Sequence, residues 1–525
     1  MLKSPTPLAL PELDQRIFAQ VVPTDHYLRR VQQHVDFERF RPRLTQTYSH
    51  TGRPGIDPVR MLKILFLCFH YRLSDRQVMA RAQTDLAFRW FLQLRLDEAL
   101  PNHTSDTYFR NRIGAEAFER VFQDLVTQAR EYGLVKDRLR LKDATHLFAA
   151  ASDLTPRSLA AQVRDRLLQA AEPLFPEWVA EQRTRLETLR QTTAEYPEVE
   201  QLATRVEFLR ELAAALRVRV AALSPDDAQG AKRVRLTNAL ALVAKLLSDR
   251  DHPEAGDRLI NAVDPEARTG KHCGYFLGYL LDVIVDADSA IITAVNVLPG
   301  NGAEAADAVA LIAQEESAQG NDVAGLSMDG AGYNGPVLRE LTDPQGRNLD
   351  VTVPPPALPP RTTFGPERFA LTVIDESTRE LTCPNGQTTR QHSRAPKDTG
   401  DRYVFAAKTC LGCPLRSACL EKPSGTKGRS VIKNDYAAEY ESVATKSETA
   451  SYAEVRREHP KVERKLGELV RHHGLRWARY RGRAKVLVQG LLTALVVNVK
   501  RMVKLLTAPL GVETAPPVRA ELVPA

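Results

Sequence analysis

Cysteine is scarce in this 525-residue chain, six in all, too few for a disulfide framework to hold a protein of this size together. Long apolar runs are missing too. The longest, Met61 to Tyr71 and Tyr275 to Val285, are interrupted and fall short of the ~18 to 20 residues that cross a bilayer, so no membrane partner is expected. The opening MLKSPTPLALPELDQR has no apolar core followed by a small-residue cleavage site, and an intracellular protein without an export signal is the expectation. Low complexity is absent: hydrophobic residues make up 43% and charged residues 26%, ordinary globular usage that excludes wholesale disorder. A large charge excess is lacking as well. With 72 Lys and Arg against 65 Asp and Glu the net charge is +7, so a polyanionic partner requires the positive charge to be concentrated locally. What the chain has in plenty is length, which predicts about three or four domains at roughly 150 residues each.

From about Asp25 to Ile113 the pattern predicts several helices. Val59, Leu62, Leu65, Leu67 and Phe69 share one long helical segment behind an Asp57-Pro58 start; a second helix follows a Ser74 cap and a third follows Thr104. Basic helices joined by short polar turns resemble a helix-turn-helix layout for DNA, and an ordinary solvated bundle fits the same pattern. At Arg138 the texture changes. Leu139, Leu141 and Asp143 alternate with Arg138, Arg140 and Lys142, which predicts a short strand with a carboxylate on its inward register. Thr155 to Arg250 returns to long amphipathic helices, read as a helical insertion or arm, in its plainest form a solvated hairpin. LLDVIV and AIITAVNVL around Asp286-Ala287-Asp288-Ser289 predict a β-hairpin. A helix over Ala303 to Ser317 and a strand from Val323 to Met328 follow, with further strands at 349–353 and 369–374 around the Pro-rich VPPPALPP. The stretch from Tyr452 to Leu506 reads as helical and very basic.

Three carboxylates stand out by context: Asp143 in a strand, Asp329 at a strand end before Gly330-Ala331-Gly332, and Glu463 on the basic C-terminal segment. A carboxylate beside a Gly-rich turn leaves backbone room for a ligand. Cys383, Cys410, Cys413 and Cys419 crowd into one stretch with a single CxxC. Four thiolates suit a closed tetrahedral Zn²⁺ site, with structural zinc and unligated reduced thiols both open. Cys68 reads as core and Cys273 as incidental. Between Arg456 and Lys504 there are 14 Lys and Arg against three Glu. Arg456, Arg457, Arg471, His473, Arg476, Arg479, Arg481, Arg483 and Lys485, interleaved with Trp477 and Tyr480, are candidates for binding a phosphate backbone and a stacked base. His472 is read as phosphate-proximal; His146, three residues past Asp143, is in range of a metal there, with a hydrogen-bonded or core histidine the more frequent outcome for such a residue.

The order and surroundings of the three acids resemble the DDE transposases of bacterial insertion sequences, more narrowly the subgroup with a four-Cys, zinc-ribbon-like insertion before the last acid. The resemblance rests on LKDATHLFAA, DPEARTG, DADSAIITAVNVLPGNGAEAADA, SMDGAGYNG, CPNG with CLGCPLRSAC, and VERKLGELVRHHGLRWARYRGRAKVLVQGLLTALVVNVKR. Upstream, GIDPVRMLKILFLCFHYRLSDRQV and FRWFLQLRLDEALPNHTSDTYFRNRI look like the group's N-terminal helical domain. It implies an α/β ribonuclease-H-like core with a mixed five-stranded sheet. Around that core it implies an N-terminal all-α DNA-binding domain (1–135), a helical insertion (155–258), a Cys-rich insertion (376–435) and a flexible tail (509–525), the core itself being 136–154, 259–375 and the basic helices of 436–508. It also implies catalytic acids Asp143, Asp329 and Glu463 holding two Mg²⁺ ions, for which Mn²⁺ can substitute, and a possible Zn²⁺ on the four cysteines. The partners implied are double-stranded DNA, as transposon ends and target, and further copies of the chain on that DNA, in the cytoplasm at the nucleoid. The sequence departs from the family pattern at Val470 and Leu280, where a Lys is common. An alternative from another class is a catalytically silent DNA-binding repressor derived from such an enzyme.

Overall fold

The computed structural model describes residues 10–48, 55–223, 229–272, 274–357, 362–375, 378–395, 397 and 399–507; Cys273, most of the Gly-Arg-Pro-Gly turn, the end of the Pro-rich joint and the tail at 509–525 lie outside them. The N-terminal region is helical: α1 (Glu12–Val21), α2 (Tyr27–His34), α3 (Arg41–Thr45), α4 (Pro58–His70), α5 (Asp75–Thr84), α6 (Leu86–Phe91) and α7 (Thr104–Glu131). Asp57 starts α4 by accepting the amides of Val59 and Arg60 at 2.9 and 3.0 Å, with Pro58 pre-set at the first helical position. Ser74 and Gln77 form a reciprocal capping box on α5. Helix α4 is buried at every position from Pro58 to Phe69, so even its cations are paired inside: Arg60 with Glu98 at 2.7 Å, Lys63 with the Gln32 side chain at 2.8 Å. A helix buried on all sides cannot lie in a DNA groove. Helix α7 is broken by Gly114 at φ 72°, a backbone that side chains rarely adopt.

Strand β1 (Arg140–Phe148) opens the sheet, and the chain then leaves it for helices α8 (Pro156–Ala171), α9 (Pro176–Thr192), α10 (Glu198–Ala221) and α11 (Gly230–Asp251). These are not a solvated hairpin. Helix α8 packs on α9, α10 and α11 around a core of their own that includes Leu167, Val179, Leu209, Leu216 and Val243. The neck is tied where Asn261 donates to the Ser152 carbonyl at 2.6 Å and the Gln162 side chain accepts from the Ala262 amide at 2.7 Å.

The chain returns as β2 (Arg268–Lys271), β3 (Tyr275–Asp286) and β4 (Ile292–Pro299), then α12 (Glu304–Gln319), β5 (Gly325–Ser327), α13 (Gly335–Thr342) and β6 (Asp350–Thr352). The sheet runs β2-β3-β1-β5-β6, with β4 also on β3. Strand β3 is antiparallel to β1, β2 and β4, whereas β1, β5 and β6 are mutually parallel. It thus has six strands rather than the expected five, because the short β2 extends the edge that β4 occupies. The expected hairpin is present, its turn closed by Asp286, which accepts from the Ser289 amide at 2.8 Å and hydroxyl at 2.7 Å.

Both faces of the sheet are covered, which corrects the expectation of one inward register on β1. Leu141 and Leu147 join the core they share with α7, α18 (Pro460–His473) and α19 (Arg483–Thr507), whereas Arg140 and Lys142 point to the α12 side and are fully or nearly buried. Burial obliges each to have an acid partner. Arg140 pairs with Glu315 at 2.6 Å and Asp286 at 3.0 Å, and Lys142 with Asp282 at 2.9 Å. Helix α19 is also long and apolar enough, by length and composition, to cross a membrane, which no single run in the sequence announced because Gln489, Thr493 and Asn498 interrupt it. Of its most apolar window 83% is buried against α2, α4, α7 and β4, as in a core helix.

Strand β7 (Ala370–Val373) does not join this sheet. It pairs with β8 (Arg379–Thr382) and β9 (Thr388–Thr389), beside a second small sheet of β10 (His392–Ala395), β11 (Gly400–Val404) and β12 (Ser430–Asn434), with short helices α14 (Ala407–Leu411) and α15 (Arg416–Cys419). Helices α16 (Ala437–Ser447), α17 (Ala450–Glu458) and α18 (Pro460–His473) then lead back over the main sheet to α19.

Candidate active site

The parallel register of β1 and β5 brings two of the three acids together. Leu141 lies opposite Ser327, so two residues further along both strands Asp143 and Asp329 come abreast, at the point where β5 has ended and the chain turns through Gly330. Asp329 is fixed by accepting the Ala331 amide at 3.1 Å, Asp143 by accepting the Ala144 amide at 2.8 Å. Helix α18 packs against β1, with His459 at its start hydrogen-bonded to the Ser327 hydroxyl at 3.1 Å. Glu463 stands one turn beyond His459 on the same helix face. Glu463 is exposed and makes no hydrogen bond or ion pair among the described residues. The neighbouring acids are committed elsewhere: Glu458 to Lys461, Glu468 to Lys465 and Lys500.

Electrostatics registers the same grouping. Burial first, and then the charges of Asp329, Glu304 and Glu463, push the Asp143 carboxyl up to about 7 against the opposing pull of the Ala144 amide. Glu304 is a fourth acid that sequence reasoning missed. It opens α12, and burial and Asp329 raise its carboxyl, opposed by Lys142. Its signal was the first-turn position in NGAEAADA, which reads equally well as an ordinary helix start. Crowded, half-buried hard oxygens are a donor set that suits a divalent cation such as Mg²⁺.

This crowding has a pH signature with a definite sign. Asp143 titrates near 7 when folded and near 3.8 when free, so between those values the folded chain holds the extra proton and loses stability as pH rises. Between about pH 4 and about pH 8, metal-free protein is expected to lose up to about 4 kcal/mol relative to Asp143→Asn. Thermal melts of both proteins across that range check it; parallel curves would remove the assignment.

The predicted basic residues divide by what they touch. Arg457, Arg471, Arg483 and Lys485 are exposed. Arg456 is half-buried and donates to the Met328 carbonyl at 2.8 Å, bracing the turn before Asp329. Arg476 donates to the His146 carbonyl at 2.7 Å, Arg481 to the Ala150 carbonyl at 3.2 Å, and Arg479 to the Leu73 carbonyl at 3.2 Å while lying over the Phe69 ring. His473 corrects the expectation outright. It is buried, with Nδ1 against the Phe69 carbonyl at 3.2 Å and Nε2 against Lys500 at 3.2 Å, and joins α18 to the N-terminal helices rather than facing a phosphate. His146 is half-buried beside the rings of Phe148, His272 and Phe276, its Nδ1 without a hydrogen-bond partner, and burial, then Arg476 and His272, lower it to about 4.

Beside Glu463 an open cleft of about 730 Å³ is lined by Arg464, Gly467, Arg471, His472 and Lys500. A second, of about 470 Å³, gathers Lys461, Arg464, Lys465, Lys500, Arg501 and Lys504 around Glu468 and Asp288. The departure positions are quiet. Val470 is half-buried with exposed Arg471 next to it, and Leu280 is half-buried opposite Leu298. DPEARTG acts as a brace: Asp264 accepts from the Tyr279 hydroxyl at 2.6 Å and the Gly482 amide at 2.9 Å, and Glu266 from the Arg483 amide at 2.9 Å. Cys383, Cys410, Cys413 and Cys419 line one cavity of about 30 Å³ under Phe364, Phe369 and Phe405.

Two family models match the chain. Residues 16–112 match a transposase domain (DUF772), spanning α1 into α7, and residues 382–503 match a transposase DDE domain, spanning the cysteines, α18 and most of α19. No curated protein and no solved structure matches it. The helical N-terminal region and the mixed sheet are compatible with a DDE transposase fold. Together the two matched domains support a DDE transposase.

Proposed function

We propose that the protein binds the terminal inverted repeats of the insertion sequence that encodes it and catalyses Mg²⁺-dependent DNA strand cleavage and strand transfer. The observation that carries this is the β1–β5 register that sets Asp143 beside Asp329 under the helix of Glu463. These three would hold Mg²⁺ or Mn²⁺, which when bound supplies Lewis-acid polarisation of the scissile phosphate and activation of the attacking oxygen. The chain's own contribution is positional. Arg456 and His459 brace the end of β5 and the start of α18, so that the acids move as one unit. The strand order, with its antiparallel second core strand, supports a ribonuclease-H-like reading of the core. The shared cavity of the four cysteines supports a structural Zn²⁺ there. Assembly of two or more copies on paired ends follows from the reaction's need to join two DNA ends to one target.

The test is cleavage by purified full-length protein of DNA carrying the ends that flank its own gene, in Mg²⁺ and in Ca²⁺. End-specific nicking that leaves a 3′-hydroxyl in Mg²⁺ is expected. End-specific binding without nicking in Mg²⁺ or Mn²⁺ would favour the silent repressor instead.

Exposed and internal arginines separate in a salt titration. Arg457→Ala, Arg471→Ala and Lys485→Ala are each expected to reduce the slope of log K against log salt by about 0.9 where that residue meets a phosphate. Arg476→Ala should instead lower the melting temperature, because its guanidinium holds β1. Unchanged slopes in all three exposed variants would move the DNA path to another face.

A further inference from the structure

Three helices of the N-terminal region meet around Cys68 of α4, Asp75 of α5 and Asp106 of α7. The Cys68 sulfur and one oxygen of each carboxylate all lie within 4.8 Å of one another. Cys68 and Asp106 are both fully buried, and neither carboxylate oxygen of Asp106 has a hydrogen-bond partner. Asp75 is a quarter exposed and held in the fork of Arg110, at 3.2 and 2.7 Å. A buried carboxylate with both oxygens unsatisfied, next to a second carboxylate and a thiol, is costly as it stands. Burial and the neighbouring Asp75 push the Asp106 carboxyl up to about 8.

We propose that Cys68, Asp75 and Asp106 are the ligands of a structural divalent cation of the zinc class. A sulfur among the donors argues against Mg²⁺ or Ca²⁺, which take oxygen, and suits Zn²⁺, which accepts thiolate and carboxylate in one tetrahedral shell. Tetrahedral Zn²⁺ holds such atoms about 3.3 to 3.7 Å apart, so the ligands draw in by about an ångström, within reach of side-chain rotation. Charge closes as well: the ion and the Arg110 guanidinium together offset one thiolate and two carboxylates. Arg110 is the orienting partner that metal-ligating carboxylates ordinarily have, and the quarter-exposed Asp75 leaves a way in and a fourth position for water.

The location gives the site a purpose. Arg110 lies over the Tyr480 ring at 4.9 Å, and Tyr480 belongs to the segment joining α18 to α19, which pairs with the end of β1 through Phe148 and Trp477. An ion here pins α4, α5 and α7 together directly beside that segment.

The experiment strips full-length protein with chelator, restores it with Zn²⁺, removes excess and measures zinc per chain and melting temperature. Because the four cysteines near residue 400 are a second zinc candidate, it is done in the unmodified chain and in Cys413→Ser. Cys68→Ala and Asp106→Asn should each bind one zinc fewer than their parent. In Cys413→Ser, Zn²⁺ should still raise the melting temperature, and that rise should vanish when Asp106→Asn is added. Asp75→Asn should weaken zinc binding at least 10-fold, and because it also loosens the Arg110 ion pair its melting temperature is compared with and without Zn²⁺ in the same variant, where the rise seen in the parent should be lost. Equal zinc content in the parent and in the Cys68, Asp75 and Asp106 variants would overturn the proposal. So would a Cys413→Ser chain whose melting temperature ignores Zn²⁺.

Discussion

Asp329→Asn is expected to lower end cleavage on the order of 10³-fold or more while DNA binding persists. The substitution keeps shape and keeps an oxygen for the Ala331 amide, so the turn after β5 has no reason to move. What it removes is one of the charges on which the proposed cation binding depends. It also removes a charge that raises Asp143 and Glu304, so metal-free Asp329→Asn should melt higher than the unmodified protein, the reverse of an ordinary buried substitution. Nicking assays with radiolabelled ends and a filter-binding control separate the two effects. Cleavage that survived the substitution would remove Asp329 from the site.

The largest stability effect belongs to β1, on the face opposite Asp143. Arg140→Met leaves Glu315 and Asp286, both fully buried, without their shared cation, and a loss of about 3 to 5 kcal/mol is expected. Replacing Glu315 by Leu as well should recover part of that loss, because the pair then leaves together and fewer charges stay uncompensated. Denaturant unfolding of the single and double variants checks the sign. Two losses that simply add would mean that the network is not coupled.

Local signals in the sequence were legible where one residue governs one feature. Asp57-Pro58 and Ser74 did start helices, and the Asp286 turn did close a hairpin, because a cap or a tight turn is decided within four residues. What could not be read was the far side of each element. Arg140 and Lys142 look like a solvent face until α12, some 160 residues later, supplies Glu315 and covers them. His473 looks like part of a basic patch until Phe69, 404 residues earlier, accepts its hydrogen bond. The three candidate acids stand out by motif order, whereas Glu304 sits in an unremarkable first turn. The helical insertion carries its own core, which the sequence does not announce because apolar positions are sparse on each helix and only four helices together make that core.

Helix α19 has a consequence for how the protein is made. It is the last described element, and it packs against α2, α4 and α7, laid down hundreds of residues earlier, and against β4. At about 5 to 20 residues per second, a ribosome needs tens of seconds to deliver it after α7 has emerged. Throughout that interval the nascent chain lacks both Glu463 and the apolar helix that closes its core. Until α19 arrives, the faces of α2, α4, α7 and β4 that it covers stay open to water, so the N-terminal core is the last part of the fold to close.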